Sequence, residues 1–196
     1  MHDLLACAGL LLAAAITPGP NNLVVLREAG HGGVRAAAGA IGGIVLGGLA
    51  LLAVVATGAG TLLSTHATLR ASLAALGAAY MAWLGVRLLG STSGRASADA
   101  MALPTSALGL FGFQFLNPKG WAMVTTVVAV RPAADAAGYL PLVVLFTAIP
   151  LACLLLWSFA GRRLAVHLAR PRSRRRIDAA MGVLLLASAA LLLIDL

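Results

Sequence analysis

A chain of 196 residues that is 61% hydrophobic, 10% charged and +0.97 in mean hydropathy is too apolar for a water-soluble domain, where roughly a quarter of residues carry charge. Its length admits a single membrane domain over residues 1–196 and no appended soluble domain. The net charge of +8 does not signal nucleic acid, because aromatics are scarce and the arginines lie between apolar runs, where they set topology.

Six apolar stretches of spanning length can be drawn, at about Leu4–Leu26, Gly39–Leu63, Leu69–Leu89, Ala107–Val130, Leu140–Ala160 and Ile177–Ile194. Nothing alternates polar with apolar as barrel strands would, so an all-α integral membrane protein is expected. Cys7 follows only six residues, with no basic segment before it, so a cleaved lipoprotein signal is rejected and the first stretch is kept in the mature chain.

The first stretch is interrupted at Thr17-Pro18-Gly19-Pro20-Asn21-Asn22. Two prolines around a glycine remove two backbone donors and add a flexible residue, which breaks a helix. Such a break at membrane depth survives only where protein or a wet cavity satisfies the freed groups. The second stretch carries Gly39, Gly43 and Gly47 on one stripe, and the third repeats this with Gly77 and Gly85, a pattern that lets helices approach closely. Gly30, Gly32 and Gly33 are not followed by Gly-Lys-Ser/Thr, so no phosphate loop is expected and no cofactor is implied.

Ser91 to Ser106 is rich in Ser, Ala, Gly and Thr and reads as a cytoplasmic linker, residues 91–106, between halves at about 1–90 and 107–196. Three spans per half force the second half to run inverted relative to the first. The fourth stretch holds a second break, Asn117-Pro118-Lys119-Gly120, roughly a hundred residues after the first. Paired interruptions in corresponding segments of two halves point to a transporter's binding site. The predicted fold is therefore six transmembrane helices in two inverted three-helix halves, with the first and fourth helices broken. Pro141 fits the first turn of the fifth span, and Pro150 should kink it.

Eleven arginines, from Arg27 and Arg35 through Arg87, Arg95, Arg162 and Arg163 to the run Arg170–Arg176, fall on one side, with only Arg70 and Arg131 on the other. That bias places both termini outside the cytoplasm. The run at Arg170–Arg176 would rest on anionic lipid.

Lys119 is the only lysine and lies near mid-span, where a charge costs at least about 2.5 kcal/mol, so it is a functional candidate; the alternative is snorkelling to the surface. Gln114 and Asn117, three apart, share a helix face if the helix runs unbroken to Pro118. With Thr17, Asn21 and Asn22 they would surround a small volume near the midplane. Free N–H groups and Lys119 would face a carboxylate there, and carbonyls an ammonium, a set suited to a zwitterion. The predicted substrate-binding residues are thus Thr17, Pro18, Gly19, Pro20, Asn21, Asn22, Gln114, Asn117, Pro118 and Lys119. Trp121 either lines this site or packs beside it. Trp83, Trp157 and Tyr139 read as interfacial anchors.

The sequence resembles the LysE/RhtB-type amino-acid exporter family through Thr17–Asn22, Gly39–Gly48, Gly77–Gly85, Phe113–Lys119 and the arginine stretch before the last span. The resemblance implies a bacterial inner-membrane protein that exports amino acids or related metabolites on the proton gradient, as an antiporter. Family members often carry an acidic residue just after Pro-Gly-Pro, where this chain has Asn21. The partners expected are an amino-acid substrate and membrane lipid, with a homo-oligomer left open. Two rivals remain. A membrane thiol–disulfide electron carrier would want paired cysteines beside the breaks, whereas Cys7 and Cys153 lie elsewhere. A divalent-metal exporter would want intramembrane clusters of carboxylate, thiolate or imidazole, and none is evident. With no acidic group for a cationic side chain, neutral amino acids are favoured.

Overall fold

The computed structural model describes residues 2–59, 65–90, 104–168 and 170–194. All regular structure among them is helical: α1 (His2–Ile16), α2 (Pro20–Ala36), α3 (Ala38–Val54), α4 (Ala67–Gly90), α5 (Ala107–Phe113), α6 (Pro118–Val130), α7 (Leu140–Leu168) and α8 (Pro171–Ile194). A π-helical turn, Val55–Ala59, extends α3, and a 3-10 turn, Ala137–Tyr139, precedes α7. Most of the linker, residues 91–103, lies outside the described residues, as does the end of the second predicted span.

Three helical stretches are long and apolar enough to cross a membrane: Ala38–Gly58, Ala67–Gly90 and Ala137–His167. The pair α1 and α2, bent by 55° at the first break, makes a fourth if counted as one span. At 7 and 13 residues, α5 and α6 are each too short to span alone. The first two turns of α8 carry arginines and Asp178, which leaves a shorter apolar remainder. Length and hydropathy thus give three or four spans, against the six drawn from the sequence.

Glycine decides where helices meet. A Cβ added at Gly43 would lie 2.2 Å from the Ala107 carbonyl oxygen, and one at Gly47 would lie 2.6 Å from that of Phe111. The stripe on α3 therefore seats α5 backbone to backbone. Gly39 has open space at the same test, so it takes no part. Gly85 and Gly182 bring α4 against α8: a Cβ added at either would lie 2.9 Å or less from the other's carbonyl oxygen. Gly161 does the same for α7 against Leu26 of α2. Pro150 sits inside α7, which continues helically through it.

Two apolar clusters fill the interior. One gathers Leu23 to Val25 of α2 with Ile41, Leu84, Leu154 and Leu185. The other gathers Cys7 and Leu11 of α1 with Leu51, Val124, Leu142 and Phe146. The two breaks lie where these clusters meet.

Candidate functional site

The first break spans Thr17 to Gly19 between α1 and α2. Pro20 begins α2 at a position where a missing N–H costs nothing, and Gly19 before it is extended. The end of α1 is left with carbonyls that have no intrahelical partner. Side chains supply the donors: the Thr17 hydroxyl donates to the Ala13 carbonyl, and Asn22 Nδ2 donates to the carbonyls of Ala15 at 3.1 Å and Thr17 at 2.8 Å. Asn22 is buried and tied to its own break.

The second break has the same chemistry with a different local form. The spacing predicts that Gln114 and Asn117 share a face of one unbroken helix; instead α5 stops at Phe113 and a tight turn covers Gln114 to Leu116, closed by bonds such as Phe115 N–H to the Gly112 carbonyl at 3.1 Å. Asn117 then caps α6, its side chain accepting from the Lys119 N–H at 3.2 Å, with Pro118 in the first turn. Trp121 donates its indole N–H to the Phe115 carbonyl at 2.9 Å, which fixes it in a packing role beside the turn. The Pro118 ring fits against Gly77 of α4, where an added Cβ would fall 2.4 Å from Pro118 Cγ.

Two links join the breaks. Asn21 and Gln114 form a reciprocal amide pair, with Asn21 Nδ2 donating to Gln114 Oε1 at 2.9 Å and Gln114 Nε2 donating to Asn21 Oδ1 at 3.1 Å. Gln114 Nε2 also reaches the Leu110 carbonyl of the preceding helix, α5, at 2.9 Å. Lys119 Nζ donates to the Thr17 carbonyl at 2.9 Å, so the ammonium of one break rests on the end of the helix preceding the other. A cation there complements the negative end of the α1 dipole. Lys119 thus has a partner within the protein, at the end of α1.

Beside these links is a cavity of about 80 Å³, room for several waters at roughly 10–15 Å³ each. Of the ten residues predicted from sequence, Gly19, Pro20, Asn21, Asn22, Gln114, Asn117 and Lys119 line it. Thr17, Pro18 and Pro118 do not: Thr17 contributes its carbonyl to Lys119, and Pro118 seats the break on α4. The opposite wall is apolar, from Val45 and Leu51 of α3, Met123 of α6, and Phe146 and Leu154 of α7. Sequence patterning does not single out that wall, because nothing distinguishes these residues from ordinary core. No carboxylate is found among the described residues that line the cavity.

The first turns of α2 and α6 both border this volume, so two positive helix ends and the Lys119 ammonium face it, while the Thr17 carbonyl supplies a negative pole. That separation of charge over a few ångströms matches a molecule carrying both signs. Neither cysteine lines the cavity: Cys7 is buried in the α1 cluster and Cys153 is buried in α7. Among the described residues no group of three or more His, Cys, Asp and Glu side chains is placed to hold a metal.

Elsewhere, Trp83 is half exposed and stacks with Arg87, whose guanidinium lies 5.2 Å from the ring centre. Trp157, expected as an anchor, packs against the α2 cluster with its indole N–H buried and, among the described residues, without a hydrogen-bond partner. Arg27, which the sequence marks only as a topology charge, is buried and paired with Asp178, an acid to which the sequence reading gives no role. Its one sequence signal is an acid placed just inside an apolar span after a run of arginines.

Among curated proteins, the chain is 34% identical over 108 residues to a cysteine/O-acetylserine efflux protein of Salmonella choleraesuis, covering 55% of this chain and 54% of that protein. It is 32% identical over 108 residues to the cysteine/O-acetylserine efflux protein of Escherichia coli K12, with the same coverage. A leucine efflux protein of Klebsiella pneumoniae is 34% identical over 95 residues, covering 47% of this chain and 45% of that protein. The matched segment spans about half the length of these curated relatives. No solved structure matches. The family model described as LysE type translocator matches residues 12–196, and the chain belongs to that family.

Proposed function

We propose that this protein is a secondary transporter that exports small neutral amino acids, or metabolites that keep their zwitterionic end, across the bacterial inner membrane in exchange for protons. The observation that carries the reading is the Lys119–Thr17 bond between two broken helices at the edge of a cavity. An ammonium and a helix-end carbonyl already facing each other are the complements of an amino acid's two charged groups. On binding, the substrate carboxylate takes the Lys119 ammonium and N–H groups at the start of α2 or α6. The substrate ammonium takes the Thr17 carbonyl. One internal bond is exchanged for two to the substrate, so neither protein group is left unpaired.

The apolar wall of Val45, Leu51, Met123, Phe146 and Leu154 suits a short or apolar side chain. A lysine or arginine side chain would find no carboxylate among the described lining residues and would have to shed its hydration. The names of the relatives, for cysteine/O-acetylserine and leucine efflux, agree with a neutral substrate.

The proposed architecture is six spans in two inverted halves, about 1–90 and 107–196, joined by the cytoplasmic linker 91–106, with both termini outside. It is supported by the arginine asymmetry and by the likeness of the two breaks, each of which starts a helix with proline at its first position. The test is export of a panel of amino acids from loaded cells, with and without an uncoupler. Neutral amino acids should leave faster in expressing cells, and collapse of the proton gradient should abolish the difference. Export of lysine or arginine in preference would overturn the substrate class.

A further inference from the structure

Among the described residues three glycines line the cavity, and a side chain added at each would meet something different. A Cβ at Gly19 would lie 3.6 Å from Lys119 Nζ, in ordinary contact, and one at Gly120 would lie 3.3 Å from Leu51 Cδ2. At Gly48 of α3 an added Cβ would find nothing within 4 Å beyond its chain neighbours and its own helix backbone. Open space alone says little, since Gly39 and Gly42 on the same helix have it without lining the cavity. Gly48 combines the two. With Ile44, Val45 and Leu51 it makes up the α3 side of the wall. At about 100° per residue these four fall within an arc of roughly 120°, and Gly48 lies at its middle. A side chain there would point into the cavity itself.

The same stretch of α3 runs beside the charged end of the site. A Cβ at Gly47 would come within 2.7 Å of Gln114 Cγ, and the Leu51 side chain approaches Gly120, the neighbour of Lys119. Gly48 sits between these two contacts, with Leu51 only about 4.5 Å further along the helix. An amino acid held by its charged groups at Lys119 and Thr17 therefore brings its side chain within reach of bare α3 backbone. Glycine is a poor helix former, and Gly48, unlike Gly43 and Gly47, seats no other helix. What its missing side chain provides is room. We infer that Gly48 is a specificity-determining residue: the substrate's side chain lies against it, and the missing Cβ admits aliphatic side chains larger than a methyl, leucine's among them. The inference rests on the transport reading and deepens it, by naming the position that sets the upper size limit.

The test is export of alanine and of leucine from loaded cells by the parent, Gly48→Ala, Gly48→Val and Gly42→Ala, normalised to protein level. A methyl at Gly48 takes space that leucine needs and alanine does not. Differences of one carbon in an apolar pocket discriminate by roughly tenfold or more. Gly48→Ala should accumulate as the parent does, keep alanine export, and lower the leucine-to-alanine ratio about tenfold. Gly48→Val should lower that ratio further. Gly42→Ala, with open space away from the cavity, should leave it unchanged. An unchanged ratio in both Gly48 variants, or an equal fall in both rates, overturns the inference and leaves the transport reading standing. So does failure of Gly48→Ala to accumulate, because its methyl would then be meeting protein rather than substrate. A parent that exports alanine but not leucine also overturns it. A parent that exports no amino acid overturns the transport reading, and the inference with it.

Discussion

Lys119 Nζ and the Thr17 carbonyl oxygen are 2.9 Å apart, joined across 102 positions of chain. The bond pairs this lysine without an acidic partner, because the carbonyl-rich end of α1 takes that place. It also holds the two breaks in register before any ligand arrives.

The amide pair Asn21–Gln114 is the second tie, and it should be energetically coupled. Asn21→Leu and Gln114→Leu each leave the other amide without its partner across the breaks, so each should lower thermal stability in detergent by about 1–2 kcal/mol. The double variant should lose less than the sum, because no unpaired partner remains. A melting series on the three variants measures this coupling, and strict additivity would mean that the pair is not formed in the membrane.

Glycine contacts predict a sharp contrast between neighbours. Gly43→Ala drives a methyl into the Ala107 carbonyl, whereas Gly42→Ala meets open space. The first should reduce accumulation and melting temperature. The second should be neutral or stabilising by up to about 1 kcal/mol from helix propensity alone. Gly77→Ala, which meets the Pro118 ring, should impair transport more than it impairs folding, because it moves the second break. Equal stability and transport across all three would show that these helices do not approach as closely as drawn.

Topology has its own test. Cysteine at Ser173, before the last span, should be shielded from an impermeant thiol reagent in intact cells, and cysteine at Thr65 should react. The reversed pattern would overturn both the orientation and the inverted-half reading.

The breaks themselves can be repaired. Pro18→Ala with Gly19→Ala restores a backbone donor and removes the flexible residue, favouring continuity between α1 and α2. Membrane insertion should be near normal and transport lost. Wild-type transport by this variant would mean that the break is not part of the binding element.

Much of this was legible from single residues. Prolines at 18, 20 and 118 announce the breaks because the physics is local: a missing N–H and a restricted backbone act wherever they fall. Seven of the ten predicted site residues line the cavity for the same reason, since polar groups at a break have few other places to go. Partnerships were not legible. Nothing local says that Lys119 meets Thr17, that Asn21 meets Gln114, or that Arg27 meets Asp178, because each depends on how distant helices dock. Gln114 and Asn117 show the opposite error: their spacing suits one helix face, yet proline at 118 ends that helix early and turns Asn117 into a cap. Nor does position alone show that Trp157 packs against the cluster around α2.

The most direct measurement of the central claim is substrate uptake into inside-out vesicles by Lys119→Met, Lys119→Gln and Lys119→Arg, normalised to protein level. If Lys119 leaves Thr17 to bind the substrate carboxylate, Met and Gln should raise KM at least about tenfold or abolish uptake, in line with the 1.5–3 kcal/mol of a charge-assisted hydrogen bond. Arginine keeps the charge on a planar, bulkier group and should recover only part of the activity. Wild-type kinetics for all three would contradict the account, leaving Lys119 as a tie between the breaks with no hand in binding.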